Sequence, residues 1–368
     1  MHPVRAARAT APIIRRMVAL SRPAADGGRA GAWPEGRAGS RPAGDRRDLF
    51  DVPFAVAGAR VMLAQLDRAL EHEAGTRAGV DAEDLHKMRV ATRRLRVAVR
   101  TFGKVLAPAP DVVAPLGPRL PVGPAVRATQ ALAAALGRVR DLDVFVAAVR
   151  EHAATAGGLD REALERVVAD RLAERAAARE ELLCFLDGEA MAALRHDFRD
   201  GLAALAGNHA EGRADRGAGP GGETVRERAP RAIVRSLRAL RTCGATLQAP
   251  TIDELHQVRI RAKRFRYTCE FFAPAFAAAL DQSIATATAI QDTLGALHDV
   301  EAWEGVLLAD IGRIAGDPAR AADAAAIARL IGDYRAHRDE ALRRFRERWA
   351  ELPRPKRLRR TLLEVTRG

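Results

Sequence analysis

The chain has 368 residues, 48% of them hydrophobic and 29% charged, enough apolar material for one large or two medium cores. No apolar run approaches the roughly 18 residues that a membrane span requires, so no membrane partner is expected. The formal charge of +13 sits at the ends: residues 1–50 carry ten Arg against four acids and residues 353–368 carry six basic residues against one acid, leaving +2 for the middle. Local clustering of charge therefore says more than the overall balance.

Aromatic residues make up only 4% of the chain, Ala, Leu and Arg dominate, and apolar residues recur mostly at helical spacing, so a nearly all-α protein is expected. Cys184, Cys243 and Cys269 lie far apart without a CxxC pair, which fits free thiols in a reducing, cytoplasmic setting. The Arg-rich N-terminus has apolar stretches broken by arginines, unlike a secretory signal. Residues 1–50 read as a disordered basic tail. A helix is predicted from Val52 to Glu73, with Val56, Leu63, Leu66 and Leu70 inward, followed by a Gly-containing turn and a capping residue at Asp81. The next helix carries Leu85–Phe102, LHKMRVATRRLRVAVRTF. A Pro-rich connector, Ala107–Pro124, precedes a helix containing ALGRVRDLDVFVAAVR, and helices near Asp160–Leu186 and Glu189–Ala206 complete a first repeat over 51–210. Arg161, Arg166, Arg171 and Arg175 lie on an acid-rich helix and are expected on its solvent side. Residues 211–225 read as a Gly-rich linker, 226–352 as a second helical repeat beginning at Arg231–Leu247, and 353–368 as a basic C-terminal tail.

The division into repeats rests on matched segments. Leu85–Phe102 is answered by Leu255–Phe272, LHQVRIRAKRFRYTCEFF, and Gly137-x-x-Arg140-Asp141-x-Asp143 by Gly295-x-x-His298-Asp299-x-Glu301. Arg60 aligns with Arg231. Thr251 with Glu254 forms a capping-box pattern, and Asp81 with Asp84 its counterpart, so both motif helices start in the same register. At 100° per residue, His86, Arg89, Arg93, Arg96 and Arg100 fall within a sector roughly 80° wide. His256, Arg259, Lys263 and Arg266 form the equivalent stripe, Arg94 and Arg264 sit on one flank in both copies, and Glu270 replaces Arg100. Apolar residues fence the stripe on both edges: Leu85, Met88, Leu95, Val99 and Phe102 on one side, Val90 and Val97 on the other. Ile260 and Tyr267 hold that second border in the second copy. So many cations fenced in this way repel one another and call for an anion.

These paired motifs closely resemble the signatures of the CHAD family, the conserved histidine α-helical domain, over roughly residues 51–350. The resemblance implies two pseudo-symmetric four-helix bundles from a tandem repeat, motif helices lining a basic central cavity, and non-catalytic binding of inorganic polyphosphate, with polyphosphate granules as the place of action. His298 in place of Arg140 and Glu301 in place of Asp143 depart from the first copy.

Guanidinium groups at helical spacing suit such a chain, because each offers forked donors to nonbridging oxygens and stays charged when partly buried. Arg89, Arg93, Arg96, Arg259, Lys263 and Arg266 are the leading candidates, joined by Arg94, Arg264, Arg140, His86 and His256. Arg60, Arg231, Arg100 and His298 stand second. Some of these arginines are instead candidates for pairing with Asp141, Asp299 or Glu301. His86 and His256 lack neighbours at metal-ligand spacing, and no P-loop or nucleophile motif occurs, so no metal, cofactor or catalysis is expected. The competing reading is a nucleic-acid or general polyanion binder acting weakly through the basic tails.

Overall fold

A computed structural model of the chain describes residues 46–106, 120–207, 222–244, 250–336 and 338–367. The N-terminal tail as far as residue 45, the connector from 107 to 119 and the linker from 208 to 221 lie outside the described residues. The rest is helical, as expected, apart from turns and one isolated bridge between Pro53 and Thr224.

In chain order the helices are α1 (Arg46–Phe50), α2 (Phe54–Glu71), α3 (Glu73–Ala78), α4 (Ala82–Leu106), α5 (Val122–Thr155), α6 (Gly158–Asp187) and α7 (Glu189–Ala193), followed by α8 (Arg199–Gly207). A π-helical turn, Leu194–Phe198, joins α7 to α8. After the linker come α9 (Val225–Cys243), α10 (Ile252–Phe276), α11 (Ala278–Ile314), α12 (Ala321–Ala336), α13 (Arg338–Ala350) and α14 (Pro355–Arg367).

Local chemistry sets these boundaries. Asp81 Oδ1 accepts the Glu83 N–H at 2.8 Å and starts α4. At α10 the box closes both ways: Thr251 Oγ1 accepts from the Glu254 N–H at 3.3 Å and Glu254 Oε2 from the Thr251 N–H at 2.8 Å. The two motif helices are thereby equal in length, 25 residues each. A third box, Thr224 with Glu227, starts α9 at Val225, so the helix begins earlier than Arg231 and the expected linker ends inside its cap. Ala277, at φ 40°, turns the chain directly from α10 into α11.

Packing order repeats along with the motifs. α4 lies against α2 and α5, and α10 against α9 and α11; α6 covers α5 as α12 and α13 cover α11. The motif helices also touch each other, and α6 touches α12. The main core is knitted at the motif helices by Phe54, Phe102 and Phe272, with ring centroids 4.8 to 5.8 Å apart. Phe102 and Phe272 hold equivalent places in the repeat. Gly58 makes room for this contact, since a Cβ there would meet the Phe102 ring at 2.6 Å. A second cluster joins the distal ends of α5, α6, α11 and α12 around Phe145, Leu164, Trp303, Leu307 and Leu330.

Two expected tails are corrected. Residues 46–50 form α1, with Phe50 buried and its ring 5.1 Å from that of Phe276. Residues 353–368, read as a basic tail, contain α14, which packs on α9 as α8 packs on α2. Leu358 and Leu362, one turn apart, are buried beneath it, and Thr366 continues the same face. The sequence reading weighed the charges of this segment and passed over its apolar spacing.

The expectation of a solvent-facing row on α6 holds for Arg161 and Arg166, which are exposed, and fails for Arg171 and Arg175. Arg171 is buried and pairs with the buried Asp310 of α11 and with Glu174, while its guanidinium lies 5.7 Å from the centroid of the Phe145 ring. Arg166 donates to Asp323 of α12 at 3.1 Å, a carboxylate with no exposed side-chain surface. Arg175 pairs with Asp143 of α5, which gives the second acid of the RDxD motif a structural role. Desolvated acids on the neighbouring helices draw Arg171 and Arg175 inward and tie the exposed Arg166 to α12, a pattern that composition along α6 alone does not show.

Candidate functional site

The basic stripes of α4 and α10 come together where these helices touch, but their members sit in different environments. Arg89 extends from α4 to α5, its Nη2 3.0 Å from Asp141 Oδ1, a carboxylate that remains 70% exposed. The glycine of each second motif lies alongside: a Cβ on Gly137 would sit 4.0 Å from Arg89 Nε, and one on Gly295 would sit 3.9 Å from Arg259 Nη2. The motif glycines are thus the points where the stripe arginines pass over the backbone of the adjoining helix.

Three guanidiniums from both helices converge on one buried ring. Arg93, Arg94 and Arg266 lie 5.5, 5.4 and 4.9 Å from the centroid of Tyr267. Glu270 sits among them, with Oε2 3.2 Å from Arg94 Nη2 and Oε1 3.2 Å from Arg266 Nε. Arg266, only 4% exposed, also donates to Thr288 Oγ1 at 3.4 Å. Burial lowers the pKa of Arg93, and the charges of Arg89 and Arg266 lower it further, against the pull of Tyr267. Burial pushes the Tyr267 phenol up, yet Arg93, Arg266 and Arg94 outweigh it and the net shift is downward.

Elsewhere along the stripe the cations face one another. Burial, then the charge of Arg100, depresses Arg96. Burial, Arg100 and Arg261 do the same to Arg264. His256 is depressed by burial, by Arg259 and by Lys263, against Asp253, so those three basic groups of α10 share one electrostatic neighbourhood. His86 is buried at the start of α4, and Arg140 is half-buried on α5.

Not every candidate joins this group. Arg60 faces α8, where its Nη2 donates to the Ala206 carbonyl at 3.5 Å. Arg231 is held at the surface by Glu223 at 2.7 Å. The side chain of His298 lies outside the described residues, as do those of Asp299 and Glu301. Sequence reasoning missed Arg261 and took Tyr267 for an apolar border residue. It recorded the replacement of Arg100 by Glu270 but not its consequence, a carboxylate inside an arginine cluster.

The arrangement suits multidentate binding of a phosphate-rich anion, with cations from two helices at close spacing and several of them destabilised until an anion arrives. Among the described residues no group of three or more His, Cys, Asp or Glu side chains is placed to hold a metal ion, and no helix is long and apolar enough to cross a membrane.

Comparison with known proteins agrees with this fold. No curated protein matches the chain in sequence. Two solved structures share its fold. The crystal structure of the CHAD domain from the plant Ricinus communis superposes with a TM-score of 0.62 at 22% identity, covering 83% of this chain and 94% of that one. PptA from Streptomyces chartreusis superposes with a TM-score of 0.57 at 17% identity, covering 82% and 99%. The CHAD domain model matches residues 60–308, a span that takes in both motif helices and both glycine motifs, and the chain belongs to the CHAD domain family.

Proposed function

We propose that the protein binds inorganic polyphosphate, without catalysis, along the facing stripes of α4 and α10, and that this binding places it at cytoplasmic polyphosphate granules. The observation that carries the reading is the crowding of cations from both repeats. Arg93, Arg96, Arg264 and His256 are all held below their ordinary pKa by burial and by neighbouring positive charge, a penalty that a bound polyanion relieves. Polyphosphate fits because it brings about one negative charge per unit and no bases, and Tyr267, the aromatic ring within the stripe, is fully buried and offers no stacking surface.

A second reading has its own support. Lys356, Arg357, Arg359 and Arg360 are exposed on α14, a basic face suited to loose contact with nucleic-acid backbones. Titration of a fluorescent long-chain polyphosphate, followed by competition with unlabelled polyphosphate or single-stranded DNA of equal charge, separates the two. The polyphosphate reading expects the DNA to compete at least about tenfold less well. Equal competition would make the protein a general polyanion binder.

A further inference from the structure

The motif helices meet through two contacts that occupy equivalent places in the repeat, and the two differ in charge. In the first, Glu270 lies 3.2 Å from both Arg94 and Arg266, and the three side chains are 13%, 12% and 4% exposed. In the second, the repeat puts Arg100 where the first has Glu270, Arg264 where it has Arg94, and Arg96 where it has Arg266. Three guanidiniums thus stand where the other contact has two guanidiniums and a carboxylate. Arg100 is exposed and Arg96 and Arg264 are half-buried, so this contact is also the more open. Among the described residues no carboxylate lies within ion-pair distance of Arg96, Arg100 or Arg264. Burial and the charge of Arg100 depress both partners, so the cluster is under electrostatic strain without a ligand.

Resting on the polyphosphate reading, we propose that the site is one-sided: Glu270 is a built-in counterion that fills, beside Arg94 and Arg266, the place a ligand phosphate takes beside Arg96, Arg100 and Arg264. A phosphate brought to the Glu270 contact would meet a carboxylate and find both guanidiniums already engaged. One brought to the Arg100 contact meets three forked donors and removes their mutual repulsion. Arg261, whose charge also bears on Arg264, adds to the same side. The two motif helices therefore play unequal parts despite their matched sequences.

The test uses the full chain, tripolyphosphate and long-chain polyphosphate as probes, and calorimetric titration. Arg100→Gln and Arg264→Gln should each weaken tripolyphosphate binding about tenfold, the loss expected for one charge-assisted hydrogen bond, while Arg94→Gln changes it less than about twofold. Arg94→Lys and Arg264→Lys repeat the comparison with the charge kept, in case loss of charge beside Glu270 impairs folding; only Arg264→Lys should weaken binding. The charge-conserving double variant Arg100→Glu with Glu270→Arg should transfer the sensitivity to position 94. Equal losses at Arg94 and Arg264, with wild-type binding intact, would overturn the one-sided site and leave the polyphosphate reading standing. A wild-type chain that binds neither probe would bring down that reading and the proposal with it.

Discussion

Neutralising Arg89, Arg259 and Lys263 together tests whether the stripes themselves bind. These side chains belong to α4 and α10, and unlike Arg266 they are only half-buried, so substitution by Gln should leave the core intact. A hydrogen bond to a charged group contributes about 1.5 to 3 kcal/mol. Arg89 exchanges an existing contact with Asp141 at 3.0 Å for a phosphate, and Arg259 and Lys263 likewise give up interactions of their own, so each net loss lies toward the low end. Together the three should cost about 4 to 6 kcal/mol, roughly a thousand- to ten-thousandfold in Kd. The log–log dependence on salt supplies an independent reading, because each phosphate contact with a flexible single-stranded polyanion contributes about −0.7 to the slope and the triple variant should lose about 2. Fluorescence anisotropy of labelled polyphosphate between low and high NaCl measures both quantities. The matched control is Arg357, Arg359 and Arg360 to Gln, three exposed residues of α14 that remove the same charge. Equal weakening and equal slope changes in the two triple variants would show that overall charge governs binding and would refute the stripe as the site.

Arg171→Ala should destabilise the fold by about 3 kcal/mol while leaving polyphosphate affinity unchanged, because it strips the buried Asp310 of a partner and leaves Arg313 as the remaining one. Chemical denaturation beside the binding titration checks both halves of that statement. The ligand-free protein should also lose stability as pH falls below about 6.5. His152 and His256 have folded-state pKa values below their unfolded one, so the unfolded chain binds more protons in that window and stability is full only above it. Denaturation midpoints at pH 7.5 and 5.5 should show the difference; conversely, polyphosphate affinity should rise toward the lower pH, since a bound anion favours protonated His256, and His256→Gln should flatten that rise. Deleting residues 353–368 should cost about 4 kcal/mol or more, from Leu358 and Leu362 alone, visible as a lower Tm and aggregation.

Elements whose causes are local were legible in the sequence. Thr251 and Glu254 lie three residues apart and set their own geometry, and the 3.6-residue spacing of Leu85, Met88, Leu95 and Phe102 defines a buried face without reference to the rest of the chain. The matched glycine motifs were visible as a pattern, yet the passage of Arg89 and Arg259 beside Gly137 and Gly295 depends on how α4 meets α5 and α10 meets α11. Arg171 and Arg175 of α6 were misjudged for a related reason. Whether Arg171 faces water or Asp310 turns on a helix 139 positions away, and nothing in the composition of α6 announces it. In α14 the error was one of weighting: a +5 segment drew attention to its charge, while Leu358 and Leu362 carried the packing signal.

The same distinction explains why the stripe alone does not define the site. A repeat places like residues in equivalent positions, so wherever α4 and α10 meet, a cation conserved in both copies faces other cations. Such a contact has two ways out: one copy changes sign, or an external anion is admitted. The contact around Glu270 took the first, and burial of Arg266 and Tyr267 could follow because the cluster carries its own counterion. Around Arg100 the sign did not change, and the half-exposed state of Arg96 and Arg264 is the physical consequence, since three guanidiniums without a counterion cannot be buried at tolerable cost. Openness to solvent and unsatisfied charge therefore have one cause there, and both are conditions that a site for a phosphate chain must meet.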